Sequence, residues 1–247
     1  MAKRRDSASR VGGNGAEARG ARAAARAGRA EAPSRGSVDG GNDTNGERFR
    51  EPDLDSPASV EAMSHVRSLL RYIGEDPHRE GLVDTPKRVI RAMHEHFRGY
   101  GMDPAAPLRK TFTQVEGYDE LVLLTDLEIH SHCEHHMVPF VGRAHVGYIP
   151  NGRVVGLSKL ARVVEVFSKR LQVQEKLTAQ IAGTINDVLR PHGVGVILQC
   201  RHFCMCYRGV QQPGAVTTTS KLHGTFLTSP AARMEFLTLC GFTRPPE

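Results

Sequence analysis

Behind a Ser-Pro start, Val60, Met63, Val66, Leu69, Leu70 and Ile73 recur at helical spacing and predict a helix over 57–73 that stops at Gly74. Asp84-Thr85-Pro86 predicts an N-cap with proline in the first turn, opening a helix through Val89, Ile90, Met93 and Phe97 that ends at Gly99. A loop carrying Pro104 and Pro107 follows. The rhythm then changes. β-Branched residues and leucines predict strands over Glu120–Ile129 and Val138–Ile149, the second closed by a Pro150-Asn151-Gly152 turn. Residues 157–171 and 173–189 predict two helices; in the second, Leu177, Ile181, Ile185 and Val188 form one stripe and Pro191 ends it. Val194–Tyr207 and Ala215–Leu222 predict two further strands, and 230–239 a short closing helix. Strand pairs joined by short turns imply an α+β fold, an antiparallel sheet with helices on one face.

The first 50 residues follow neither rhythm. Their one large aromatic is Phe49, and Ala, Arg, Gly, Ser, Asn and Asp dominate. Such a segment buries too little apolar surface to offset the entropy of ordering it, so disorder is expected. Ala16–Ala30, with Arg19, Arg22, Arg26 and Arg29, could form at most a transient basic helix. It has the flavour of an organelle transit peptide, but Asp6, Glu17 and Glu31 argue against one, so a cytoplasmic location is expected. No apolar run approaches the ~20 residues that span a bilayer. The expectation is a soluble chain with a disordered basic leader over 1–56 and a single domain over 57–247. Within that domain, a helical prelude (57–100) precedes a core (118–240).

Charge changes the picture little. The chain has 247 residues and a formal charge of +6, but residues 1–50 hold 11 of the 33 basic and 6 of the 27 acidic side chains. The body is left near neutral, which weakens any reading as a specific nucleic-acid binder. Five cysteines (133, 200, 204, 206 and 240) without a secretory signal point to metal binding or simple burial rather than disulfides.

The chemistry concentrates in four places. The first is His130-Ser131-His132-Cys133-Glu134-His135-His136. Cys133 and His136 are three apart, so one helical turn points both the same way, as zinc ligands require; the plain alternative is a polar turn. The second is the strand around Cys204. Alternation puts Cys200, His202, Cys204, Cys206 and Arg208 on one face, and one of the three thiols can join Cys133 and His136. Free cysteines are also ordinary buried hydrophobes, and that is the expectation for the thiols left over. Two sulfurs and one imidazole leave a tetrahedral position open, as in catalytic zinc sites.

The third is Gly156-Leu157-Ser158-Lys159-Leu160-Ala161-Arg162, where Lys159 and Arg162 share a face at a helix start. Cations there oppose the macrodipole unless an anion is bound; the alternative is a solvated basic face. Arg208 and the Arg88/Arg91 pair could add charge to the same anion. In Gln172-Val173-Gln174-Glu175, Glu175 serves either as helix-start chemistry or as a carboxylate for a donor-rich base edge such as guanine.

Together these stretches resemble the GTP cyclohydrolase I family. The matching residues are Thr85-Pro86-Lys87-Arg88, Cys133-Glu134-His135-His136, Gly156 to Arg162, Gln172 to Glu175, His202-Phe203-Cys204, Arg208-Gly209 and Thr217-Thr218-Thr219-Ser220, in family order across roughly 60–240. The resemblance implies the tunnelling fold, in which sheets of several subunits close a barrel and two pentamers stack into a homodecamer. It also implies conversion of GTP to 7,8-dihydroneopterin triphosphate and formate, the entry to tetrahydrofolate and other pterins.

By that resemblance Zn2+ is held by Cys133, His136 and Cys204, which selects Cys204 among the three thiols. His135 and His202 become the acid/base pair, and imidazole suits the task because its pKa lies near working pH. Ser158 would assist the ribose rearrangement, Glu175 with Gln174 would read guanine, and Lys159, Arg162 and Arg208 would hold the triphosphate. Arg88 and Arg91 would reach it from a neighbouring subunit. Two departures stand out: His132, where the family more often has a small or apolar residue, and Cys206, two residues past the implied ligand; either could compete for metal. The rivals are a zinc enzyme that opens the same ring to a cyclic phosphate, a pterin- or purine-binding module without catalysis, and a zinc-stabilised nucleic-acid binder.

Overall fold

The computed structural model describes residues 51–242, so the expectations for residues 1–50 and 243–247 lie outside the described residues. Helix α1 (Pro57–Tyr72) starts where expected, with the Ser56 hydroxyl accepting from the Ser59 amide and proline in the first turn. Helix α2 (Thr85–His96) also starts where expected, but its cap differs. Asp84 already has helical dihedrals (φ −93°, ψ −5°) and its side chain caps nothing. Its carboxylate lies 3.9 Å from Arg88 instead.

Two short 3-10 turns, Arg98–Gly101 and Ala106–Arg109, lead to strand β1 (Thr111–Phe112). Then come β2 (Val122–Cys133), β3 (Pro139–Ile149), β4 (Val154–Val155), α3 (Leu157–Ser168), β5 (Leu171–Gln172) and α4 (Gln174–Leu189). The chain closes with β6 (Gly193–His202), α5 (Phe203–Cys206), β7 (Thr217–Gly224), α6 (Thr225–Thr228) and α7 (Pro230–Leu239). The five-stranded sheet has the order β5-β2-β3-β6-β7, antiparallel except where β5 joins β2 in parallel, and β1 pairs with β4 apart from it.

Two departures from the sequence reading decide where the site lies. Strand β2 runs four residues past Ile129, so His130–Cys133 belong to the ladder. A bulge between Leu124 and Leu127, with Asp126 at φ 58°, shifts the side-chain alternation. As a result Ile129, Ser131 and Cys133 share the buried face. The second departure is on β6, expected to continue to Tyr207. It ends at His202, whose β3 partner is Phe140. The next partner would be Pro139, which has no N–H to extend the ladder. Without a partner strand the chain coils into α5, and the expected alternation through Cys204, Cys206 and Arg208 does not occur.

Helices α3 and α4 cover one sheet face, packing Leu160, Val163, Leu177, Ile181 and Ile185 against Val146, Tyr148, Val196 and Leu198. The other face is not bare, contrary to a strictly one-sided arrangement. There α6 and α7 lay Phe226 and Phe236 over Ile197. The strand beneath must lack side chains: a Cβ on Gly195 would sit 2.7 Å from the Phe236 ring. Among the described residues no helix is long and apolar enough to cross a membrane.

Candidate metal centre and catalytic cleft

Cys133 is the last residue of β2. The Met137 amide donates to the Cys133 carbonyl at 2.8 Å, and the Cys133 amide donates to Val138 O at 2.9 Å. The hairpin loop is therefore one helical turn, stopped by Met137 at φ 55°. A turn rather than a helix does what the spacing required: His136 Nδ1 lies 3.8 Å from Cys133 Sγ, and His135 Nδ1 lies 3.7 Å from it. Cys204 arrives from α5. The donor atoms of Cys133, His136 and Cys204 all lie within 4.8 Å of one another.

This set fits a soft divalent ion. Burial first, and the neighbouring Cys133 thiol second, push the Cys204 thiol above its ordinary value. Two adjacent sulfurs resist becoming thiolates together, and a cation between them reverses that preference. Two sulfurs with one imidazole nitrogen are donors that zinc accepts while keeping a position open.

Neither possible competitor joins the group. His132 alternates to the other side of β2 from Cys133, its ring 4.6 Å from that of His96 and 5.2 Å from that of Phe97. Burial, followed by the charges of His96 and Lys169, lowers its pKa to about 4. The Cys206 thiol is buried and donates to His202 O at 3.2 Å. Cys200 lies in the core, its thiol pushed up to about 12 by burial.

A cleft of about 200 Å3 opens on the three donors, lined also by His135, His202, Gln174 and Glu175. His202 ends β6 with its ring stacked on Phe140, 4.6 Å between centroids and 15° between planes. Burial lowers the His202 pKa, and the Glu175 carboxylate pulls it back up. Glu175 is exposed in the first turn of α4. Arg208 Nη1 donates to His136 Nε2 at 3.1 Å.

The remaining candidates lie elsewhere in this chain. Ser158, Lys159 and Arg162 occupy the first turns of α3 and do not line the cleft. Arg88 and Arg91 lie on α2, the second with Nε 3.3 Å from the Glu51 carboxylate. Gln174 departs from expectation. Its side chain is buried, and Nε2 lies within hydrogen-bond distance of Leu198 O (3.1 Å), Thr217 O (2.9 Å) and Thr219 Oγ1 (3.0 Å). Its Oε1 faces His202 Nε2 at 2.8 Å. The side-chain amide is committed inside the protein rather than offered to a base. Phe140, Thr217 and Thr219 thus shape the site without having been singled out individually. Only the Thr217–Ser220 run carried a signal, through its place in the family pattern.

Fold and cleft together define an α+β protein with a three-donor group able to hold a metal beside two histidines. The sequence profile of the GTP cyclohydrolase I family matches residues 62–241. A protein from Sinorhizobium fredii named GTP cyclohydrolase 1 is 52% identical over 183 residues, covering 74% of this chain and 89% of that protein. The chain belongs to the GTP cyclohydrolase I family. Among solved structures, an archaeosine synthase QueF-Like protein in the apo form aligns with 42% of this chain and 93% of its own, at 18% identity and a TM-score of 0.34.

Proposed function

We propose that this chain hydrolyses the guanine imidazole ring of GTP, releases formate and rearranges the remainder to 7,8-dihydroneopterin triphosphate. The observation that carries this reading is the convergence of Cys133, His136 and Cys204 with His135 and His202 on one cleft. Cys133, His136 and Cys204 would hold zinc, the metal on which the family generally depends. Zinc in such a site supplies a water with pKa lowered to about 7.

The protein's own groups account for the rest. Purine C8 is a weak electrophile until N7 is protonated, so an acid must face the ring. His135 and His202 flank the metal donors and are the groups to give and take protons there. Glu175, exposed at the start of α4, can accept from both the ring N–H and the exocyclic amino group of guanine. Ser158 would assist the ribose rearrangement, and Lys159, Arg162 and Arg208 would hold the triphosphate.

We also propose a homo-oligomer, with the decamer of two pentamers that the family resemblance implies as the expected form. About 200 Å3 is below the roughly 300–1,000 Å3 of ordinary ligand pockets. Lys159 and Arg162, two of the groups assigned to the triphosphate, do not line it, which supports further walls from another copy, with Arg88 and Arg91 as candidates to reach in. Both outer sheet edges support this. Among the described residues, β7 has no strand on its far side, and β2 has only β5 at its last two residues.

The test is mass analysis of products after zinc-loaded protein meets GTP. A species keeping all three phosphates and lacking one carbon, with formate released, is the expected result. A cyclic phosphate with pyrophosphate, or unchanged GTP, would overturn it.

A further inference from the structure

The Gln174 side chain carries information about its neighbour. Two of the atoms facing its Nε2, Leu198 O and Thr217 O, are backbone carbonyls that can only accept. The amide nitrogen must therefore lie on that side, which turns the carbonyl oxygen Oε1 toward His202. An amide oxygen can only accept, so the His202 nitrogen facing it at 2.8 Å must carry the proton. The chain of constraint continues behind the amide. Thr178 Oγ1 donates to Gln174 O at 2.7 Å and lies 2.7 Å from Thr219 Oγ1. With that donor used, Thr219 donates to Thr178 and accepts from Gln174, which fixes both hydroxyl hydrogens, while the two amide hydrogens of Gln174 are shared among its three acceptors.

From this geometry we infer that Gln174 is a positioning residue that locks His202 as the Nε2–H tautomer, leaving Nδ1 as the nitrogen that exchanges protons with the substrate. The Phe140 stack fixes the plane of the ring and Gln174 fixes which way round its proton sits. A histidine free to switch tautomers would spend part of its time with the wrong nitrogen deprotonated. Here that alternative would set a lone pair against Oε1, in a site where an unmatched polar pair is costly. Thr217 and Thr219 thereby gain a purpose: the strand that carries them is the wall against which the amide is oriented. The inference rests on the hydrolase reading for the substrate of His202, but the tautomer itself does not.

The first experiment is therefore nitrogen-15 NMR of the zinc-loaded full chain labelled at histidine, with His202 assigned by its loss in His202→Asn. A protonated Nε2 with an unprotonated Nδ1 is expected; the reverse pattern, or an even mixture, would overturn the lock.

The second is kinetic. Gln174→Met keeps the length of the side chain and removes the acceptor. It should lower kcat about 10–100-fold, less than the full 10²–10⁴ of general acid–base catalysis because Phe140 still holds the ring. KM for GTP and zinc content should stay near wild type. In a His202→Asn background the same substitution should have no further effect on kcat. A rise in KM with kcat unchanged, or an undiminished loss without His202, would instead make Gln174 a substrate contact.

Should Gln174→Met fail to fold, Thr219→Val leaves both carbonyls in place and should cost a few-fold in kcat alone; no loss there would count against the lock. Wild-type enzyme that released no formate would overturn the functional reading, while the NMR result would still decide the tautomer.

Discussion

The Cys133 thiol and the His136 imidazole meet at 3.8 Å because a single backbone bond, from the Met137 amide to the Cys133 carbonyl, closes one turn between them. Side-chain direction over that turn is set by the backbone geometry. The third donor comes from α5, just past the end of β6, and β3 lies between β2 and β6 in the sheet that brings the two halves together.

Cys204→Ser should therefore strip zinc and activity together, measured as metal per chain and formate released. Cys206→Ser should keep both, since that thiol is turned to His202 O and away from the donor group. Full metal in the Cys204 variant would mean the ligand set was misassigned.

Glu175→Gln separates recognition from metal binding. Losing a charged acceptor for two guanine donors is worth about 1.5–3 kcal/mol, or roughly 10–100-fold in KM for GTP. Zinc content should not change, and a kinetic titration with GTP against metal analysis of the same sample checks both.

The contact between Gly195 and Phe236 makes a prediction on stability. Gly195→Ala would force a methyl into the Phe236 ring, and Phe236→Ala would open a cavity between α7 and the sheet. The second change should cost about 3–5 kcal/mol in denaturant unfolding. A loss under about 1 kcal/mol would show that α7 contributes little to holding the sheet.

The pH dependence of stability should include His145. Burial lowers its pKa, an effect opposed by Asp126 and reinforced by Arg143; its ring stands edge-on to Phe242, and its buried Nδ1 has no hydrogen-bond partner among the described residues. The folded state thus favours the neutral ring more than the unfolded chain does, where the imidazole takes up a proton near 6.5. The His145 contribution is complete above that value and is lost as pH falls below it toward the lower folded pKa. His145→Phe should flatten the fall of the Tm profile below about pH 6.5; an unchanged slope would assign it to other groups.

Much of this was legible in the chain because local pattern and tertiary role agree. The stripe of Leu177, Ile181 and Ile185 predicts α4 and is its buried face. The Cys133–His136 spacing predicts half of a metal group, and a turn serves as well as a helix. What escaped the pattern was decided elsewhere. β6 stops at His202 because Pro139, on another strand, cannot pair with the next residue. The role of Gln174 depends on carbonyls of β6 and β7 that only the folded sheet brings to it. The covering of the second sheet face depends on Gly147 and Gly195 lying side by side under Phe236, a match that neither strand's own sequence announces.

Among the described residues, β7 and all but the last two residues of β2 have no strand on their outer side, and this bears on how the enzyme must be handled. A sheet left open on both sides has peptide groups still seeking partners, and an isolated copy is then as prone to sticking wrongly as to assembling rightly. If other copies complete these edges, as proposed, protein concentration becomes a variable of catalysis: turnover per chain should fall on dilution, recover on concentration, and lag behind folding after refolding from denaturant.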